Sequence, residues 1–171
     1  MINKEMFNLV TIREAKGAED IEKIAVLADK IWHEHFPALL SAEQIDYMVD
    51  KFQSFRAISE AVKNNGYRYY MAYDGDDFCG YLGFCEEGDN TVFISKIYVR
   101  SDKRRCGVAS SMLRQLRDDI PDARKWYLTV NRFNSGPIEV YKKRGFEIVR
   151  EQKADIGNGF IMDDYIMEKT F

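Results

Sequence analysis

The stretch TVFISKIYVR, SDKRRC, GVASSMLRQLRDD, residues 91–119, passes through three textures in succession. Thr91 to Arg100 is rich in β-branched and aromatic residues, as a strand requires. From Gly107 to Asp119 the spacing turns helical, with Val108, Met112, Leu113 and Leu116 on one face. Between the two lies a turn, Ser101 to Cys106, that contains the consecutive cations Lys103, Arg104 and Arg105. A helix starting directly after such a turn presents unpaired N–H groups and the positive end of its dipole, which together attract anions. Gly107 and the small Ala109 let a ligand approach the backbone. Arginine forks match phosphate oxygens, although the same residues also suit a plain solvated turn. A Gly-x-x-x-x-Gly-Lys triphosphate loop does not occur, and neither does a Gly-x-Gly-x-x-Gly dinucleotide fingerprint.

Outward from this unit the chain alternates strands and helices. Upstream, Tyr67 to Tyr73, Phe78 to Cys85 and Thr91 to Arg100 predict an antiparallel meander, with Asp74-Gly75-Asp76 as its first turn. Before it stand a short strand, Leu9 to Arg13, and a helix over about residues 18–35 that carries Ile21, Ile24, Ala28, Ile31 and Trp32 and stops at Pro37. Ser41-Ala42-Glu43-Gln44 is a capping box opening a helical segment that continues to Val62 and ends at Asn64-Asn65-Gly66. Downstream, Lys125 to Val130 is a strand and Ser135 to Lys143 a helix closed by Gly145. Two final strands, Phe146 to Lys153 and Phe160 to Lys169, flank Gly157-Asn158-Gly159. The order β-α-α-β-β-β-α-β-α-β-β predicts an α/β fold: one domain over residues 1–171, with a mixed sheet covered by helices. One right-handed crossover, through the Gly107 helix, joins neighbouring parallel strands.

Bulk properties narrow the function classes. With 171 residues and 46% hydrophobic content the chain can bury its own core. A net charge of −3 disfavours nucleic acid and anionic membranes as partners. No apolar run spans a bilayer, and MINKEMFNLV lacks the apolar core of a signal peptide. The three cysteines, Cys79, Cys85 and Cys106, and only two histidines offer no metal-site spacing, so neither a metal nor a disulfide framework is expected. The expected setting is the reducing cytoplasm.

Arg104-Arg105-Cys106-Gly107-Val108-Ala109 resembles the acetyl-CoA pyrophosphate motif of the GNAT superfamily of N-acetyltransferases: Gln or Arg, two residues of any kind, Gly, one more, then Gly or Ala. A second signature of that family, an Asn seven residues before a Tyr and then a Gly-Phe pair, appears as Asn134, Tyr141 and Gly145-Phe146. The resemblance covers the whole chain and is strongest from residue 91 onward. The tail Met162-Asp163-Asp164-Tyr165-Ile166-Met167-Glu168 is similar to bacterial members related to polyamine acetyltransferases.

The resemblance implies a fold whose central strands splay to hold the pantetheine arm of acetyl-CoA. The backbone of Ile97, Tyr98 and Val99 would pair with the arm, and the Val99 N–H would polarise the thioester carbonyl. Arg104, Arg105, Cys106, Gly107, Val108, Ala109 and Ser110 would hold the pyrophosphate, and Asn134 would bond the arm. Tyr141 would be the acid that protonates the departing thiolate. Cys106, with no nucleophilic part in such chemistry, would pack beside the turn. Several relatives carry a Glu on the strand before the turn as base. Here Ser95 and Lys96 occupy that stretch, which leaves water, Asp164, His33 or His35 as alternatives. Phe36 and Asp164 are the candidate acceptor contacts. The implied activity is direct acetyl transfer to a primary amine on a small molecule such as a polyamine. A protein N-terminus or lysine as acceptor, and a non-catalytic acyl-CoA sensor, remain the alternatives. A homodimer is among the assemblies this allows.

Overall fold

The computed structural model describes residues 10–171. The chain runs through β1 (Val10–Glu14), α1 (Gly17–His35), α2 (Ala42–Met48), α3 (Phe55–Asn64), β2 (Tyr67–Asp74), β3 (Asp77–Glu87) and β4 (Thr91–Val99). It continues through α4 (Val108–Asp119), β5 (Lys125–Asn131), α5 (Ser135–Lys143), β6 (Glu147–Gly157) and β7 (Phe160–Thr170). One seven-stranded sheet results, in the order β1-β2-β3-β4-β5-β7-β6. The expected meander is β2-β3-β4, antiparallel throughout, and α4 joins the parallel neighbours β4 and β5. Of the expected first strand, Leu9 lies outside the described residues.

Alternation along the strands divides the apolar residues between two faces. On one face Met112, Leu113 and Leu116 of α4 and Ile138 of α5 pack with Tyr70, Leu82, Phe84, Ile94 and Leu128 of the sheet. On the other, Ile24, Ala28 and Ile31 of α1 and Ile58 of α3 cover Tyr69, Met71 and Tyr81. A third cluster, Trp32, Phe36, Ile45, Met48 and Val49, continues that second layer toward β7, where Met162 joins it.

The helical segment expected from the capping box to Val62 is two helices, so the order gains one element. Ser41 caps α2 as its position predicts, accepting from the Gln44 N–H at 3.2 Å. The Gln44 side-chain amide points away from the helix start and donates to the Ile161 carbonyl at 3.4 Å. A π-helical turn, Val49–Gln53, then gives way to Ser54 in extended backbone (φ −75°, ψ 161°). The Ser54 hydroxyl donates to the Asp50 carbonyl at 2.6 Å and accepts from the Ala57 N–H at 3.2 Å. It is therefore a second N-cap, which restarts the helix on a new axis. The wide turn before it carries Gln53 inward, where its Oε1 accepts from the buried Tyr81 hydroxyl at 3.1 Å.

Candidate active site

β4 and β5 are paired over four residues only, Thr91 to Ile94 against Lys125 to Leu128, and then part. The cause lies in β4. Gly83 of β3 is opposite Lys96 and Phe84 is opposite Ile94, so Ser95 is an extra residue, a β-bulge. The bulge reverses the alternation: Ile94 and, past Ser95, Ile97 and Val99 pack on the α4 side. Tyr98 meets the α1 side, and Lys96 faces the rings of Tyr67 and Tyr69 there. Gly83 has no Cβ because one would sit 2.8 Å from the Tyr69 ring.

Beyond the bulge, the Arg100 N–H donates to the Cys79 carbonyl of β3 at 2.8 Å. Backbone amides alternate along a strand, so Tyr98 and Lys96 also face β3, while Ile97 and Val99 face the gap left by β5. This narrows the expectation for the three consecutive residues. Ile97 and Val99 offer backbone to the opening; Tyr98 offers only its side chain, because its backbone is committed to the sheet.

The basic turn closes the same end of β4. A short 3₁₀ turn, Ser101–Lys103, precedes it, and α4 starts at Val108 with Gly107 as N-cap in left-handed conformation (φ 78°). No side chain caps this helix, and the first amide to find a helical acceptor is that of Ser111, bonded to the Gly107 carbonyl at 2.9 Å. The N–H groups of Val108, Ala109 and Ser110 are thus left at an open N-terminus. Arg105 is left-handed too (φ 62°), a conformation that a non-glycine residue adopts at some cost.

The three cations of the turn are not equivalent. Lys103 is held by Asp74 at 2.7 Å and lies 3.8 Å from Asp77, so its charge is already matched. Arg104 and Arg105 have no carboxylate partner among the described residues; Arg104 Nε donates to the Val99 carbonyl at 3.3 Å. Cys106, expected to pack beside the turn, is exposed, with its thiol directed at the Arg104 carbonyl. The left-handed residues on either side hold it on the outside of the bend. Val108 turns the other way: its side chain is buried against Gly80, and only its backbone belongs to the turn.

A cavity of about 380 Å³ opens between the parted strands. Tyr141 of α5 and Asp164 of β7 both line it, as do Phe36, Tyr98 and Lys96. Burial raises the Tyr141 phenol well above the ordinary tyrosine range, so it keeps its proton. Burial, and then the neighbouring Asp163, pushes Asp164 up to about 6. Asp163 itself lies on the opposite side of β7 and pairs with Arg132 at 3.6 Å, as strand alternation requires. Burial lowers the Lys96 ammonium to about 8.

The two histidines separate. His33 is outside the cavity, bonded to the Asp29 carbonyl at 2.8 Å and to Asp46 at 2.7 Å, which ties α1 to α2. His35 Nε2 meets Asn134 Oδ1 at 3.1 Å. Asn134 therefore stands at the start of α5 with its carbonyl oxygen engaged and its amide nitrogen free to donate. Lys96 and Gln53 are among the polar cavity residues that sequence reasoning did not assign to the site. The signal for Lys96 was present: apolar residues at 94, 97 and 99 break the strict period of two, which marks a bulge. Among the described residues no cluster of His, Cys, Asp and Glu could hold a metal ion, and no helix is long and apolar enough to cross a membrane.

The sequence model of the acetyltransferase (GNAT) family matches residues 27–146, which include the splay, the turn and Tyr141. The chain belongs to this family. GNAT enzymes draw their acyl group from acetyl-CoA, and an open helix N-terminus beside a parted strand pair suits a pyrophosphate with a linear arm. No curated protein matches the sequence. Solved structures show the shared fold. The PaiA N-acetyltransferase of Thermoplasma acidophilum, in complex with coenzyme A, superposes with a TM-score of 0.78 at 19% identity, over 95% of this chain and 99% of that one. A GCN5-related N-acetyltransferase from Rhodopseudomonas palustris gives 0.77 at 16% identity, over 94% and 95%. The ribosomal-protein-S18-alanine N-acetyltransferase of Escherichia coli gives 0.68 at 15% identity, over 95% and 94%.

Proposed function

We propose that this GNAT acetyltransferase passes the acetyl group of acetyl-CoA directly to a primary amine on a small molecule, with Tyr141 as acid and Asp164 as base. One observation carries the reading: Tyr141 and Asp164 line a single cavity, at the point where β4 and β5 part. Arg104, Arg105 and the backbone N–H groups from Cys106 to Ser110 would hold the pyrophosphate. Ile97, Val99 and the Asn134 amide nitrogen would bond the pantetheine arm, with the Val99 N–H on the thioester oxygen. The amine nitrogen attacks the thioester carbon, and its proton passes to the Asp164 carboxylate. The carbon–sulfur bond breaks, and the thiolate takes the Tyr141 proton.

A small acceptor fits better than a peptide because α2 is tied down on the β6–β7 hairpin. The Tyr47 hydroxyl donates to the Ile156 carbonyl at 2.6 Å, and its ring packs on Phe160 at 5.3 Å. Ile156 and Met162 of that hairpin and Met48 of α2 line the cavity. A polyamine, with its several cations, would meet one cavity carboxylate, Asp164. The test is acetyl-CoA-dependent thiol release with a panel of amines and short peptides, beside thermal denaturation with acetyl-CoA. Acetyl-CoA is expected to raise the melting temperature, and small amines to release thiol faster than peptides. No shift at millimolar acetyl-CoA overturns the reading, and faster turnover with peptides overturns its acceptor half.

A further inference from the structure

The acceptor cavity carries a cation as well as a carboxylate. Lys96 lines the wall that also holds Ser95, Gln53 and Tyr67. Its Nζ lies 3.1 Å from Ser95 Oγ, 5.7 Å from the Tyr69 ring centre and 5.9 Å from that of Tyr67. Other half-buried cations of the sheet have an acidic partner: Arg68 has Glu14, Arg100 has Asp77, Lys103 has Asp74. No carboxylate of the described residues stands within 4.0 Å of Lys96, and the aromatic faces give a cation only part of what a carboxylate gives. Ser95 Oγ accepts one of its protons, and donors stand beside it. Gln53 accepts from Tyr81 through Oε1, which leaves its NH₂ group for the cavity, and the Ser95 hydroxyl can turn its proton either way.

A half-buried ammonium that faces a cavity with a hydroxyl and two rings, but no carboxylate, around it lacks an anion. We infer that the acceptor is an amine that also bears a carboxylate, with its carboxylate on Lys96, Ser95 and Gln53 and its amine toward Asp164 and Tyr141. This rests on the acetyltransferase reading above and names its substrate class. The bulge at Ser95 is what makes it possible: in a regular strand Lys96 would share the face of Ile94 and point into the α4 core. Lys96 thereby selects among amines. It attracts an amino acid and repels a polyamine, whose second cation would meet it without a counter-ion. The depressed affinity of Lys96 for its proton has the same origin, since a bound carboxylate would restore it.

The experiment pairs amino acids with their decarboxylated counterparts: L-phenylalanine with phenethylamine, γ-aminobutyrate with propylamine, 6-aminohexanoate with pentylamine, and spermidine as the polycation. Thiol release is read in the wild type, Lys96→Met and Lys96→Arg, and thermal shifts are read with coenzyme A present. The wild type should favour at least one amino acid over its counterpart by about tenfold or more in kcat/KM. Lys96→Met should erase that preference while still gaining stability from acetyl-CoA, and Lys96→Arg should keep part of it. Equal or better use of the decarboxylated amines or spermidine overturns the inference and leaves the acetyltransferase reading intact. A preference that survives in Lys96→Met also overturns it. If no amine is turned over, the reading above fails, and the thermal shifts decide this one. Stabilisation of the wild type but not of Lys96→Met by amino acids supports a carboxylate site, and its absence overturns it.

Discussion

His35 Nε2 and Asn134 Oδ1 are 3.1 Å apart although 99 positions separate them in the sequence. The bond joins the end of α1 to the start of α5, elements that pack on opposite faces of the sheet. It occupies the oxygen of the Asn134 amide and so orients the nitrogen, the half that can donate to a pantetheine carbonyl. Asn134→Ala is expected to raise the KM for acetyl-CoA about tenfold, the worth of one hydrogen bond of about 1–1.5 kcal/mol. His35→Ala removes only the orientation and should raise it about two- to threefold. Steady-state kinetics at saturating acceptor checks both. A fall in kcat at unchanged KM would place Asn134 with the acceptor instead.

Tyr141→Phe keeps the ring that packs on Phe146 at 5.9 Å and deletes the hydroxyl alone. Proton donation of this kind contributes on the order of 10²–10⁴-fold to a rate. The variant is expected to lose about a hundredfold in kcat while its melting temperature and the stabilisation by acetyl-CoA stay close to wild type. A variant as active as the parent would mean that water protonates the thiolate.

Asp164 makes the pH dependence specific. Half-buried and beside Asp163, its carboxyl is pushed up to about 6, and it can take a proton from the amine only when ionised. The kcat/KM profile should therefore show a limb that falls by about tenfold per unit as pH drops below 6. Asp164→Asn should lose activity and that limb together. The stability change separates a base from a structural residue. A carboxyl whose folded pKa exceeds its unfolded value is destabilising once ionised, so stability declines as pH rises through the interval between the two. At pH 8 the Asn variant should melt at the wild-type temperature or above it. A large drop in melting temperature would assign Asp164 to the fold.

Much of this arrangement was legible in the sequence because local rules governed it. Proline and glycine set the ends of α1 and α5, alternation set the meander, and the basic turn stood where one helix began. The divergence of β4 and β5 depends on one extra residue, Ser95, between the partners of Gly83 and Phe84, and its trace in the sequence is only the broken alternation at 94, 97 and 99. The break between α2 and α3 was hidden because no proline or glycine marks it; the Ser54 hydroxyl makes it. Which cation of the turn stays unmatched also needed the fold, because the partners of Lys103 come from the β2–β3 hairpin. Tyr141, Asp164 and Lys96 are apart in sequence and meet only through the sheet order, so no spacing rule could have brought them together.

Far from the cavity, Asp20 anchors the first turn of α1. Its two oxygens accept from Arg13 at 2.7 Å each, and Oδ2 also accepts from the Lys16 N–H at 2.7 Å. These bonds hold the Asp20 carboxyl down at about 2, from an ordinary value of 3.8. The Asp20 side chain is 9% exposed but that of Arg13 is 46% exposed, so water can rehydrate the arginine when the pair is broken. Asp20→Asn is therefore expected to cost about 1–3 kcal/mol, less than the 3–5 kcal/mol lost when a fully buried pair is split. Because the folded pKa is the lower one, this stabilisation is complete above about 3.8 and disappears as pH falls through about 2. Urea denaturation at neutral pH gives the first number, and a series from about pH 5 to pH 2 gives the second. The variant should lose less stability across that series than the wild type does. Parallel losses in the two proteins would move the acid sensitivity of α1 to another carboxylate.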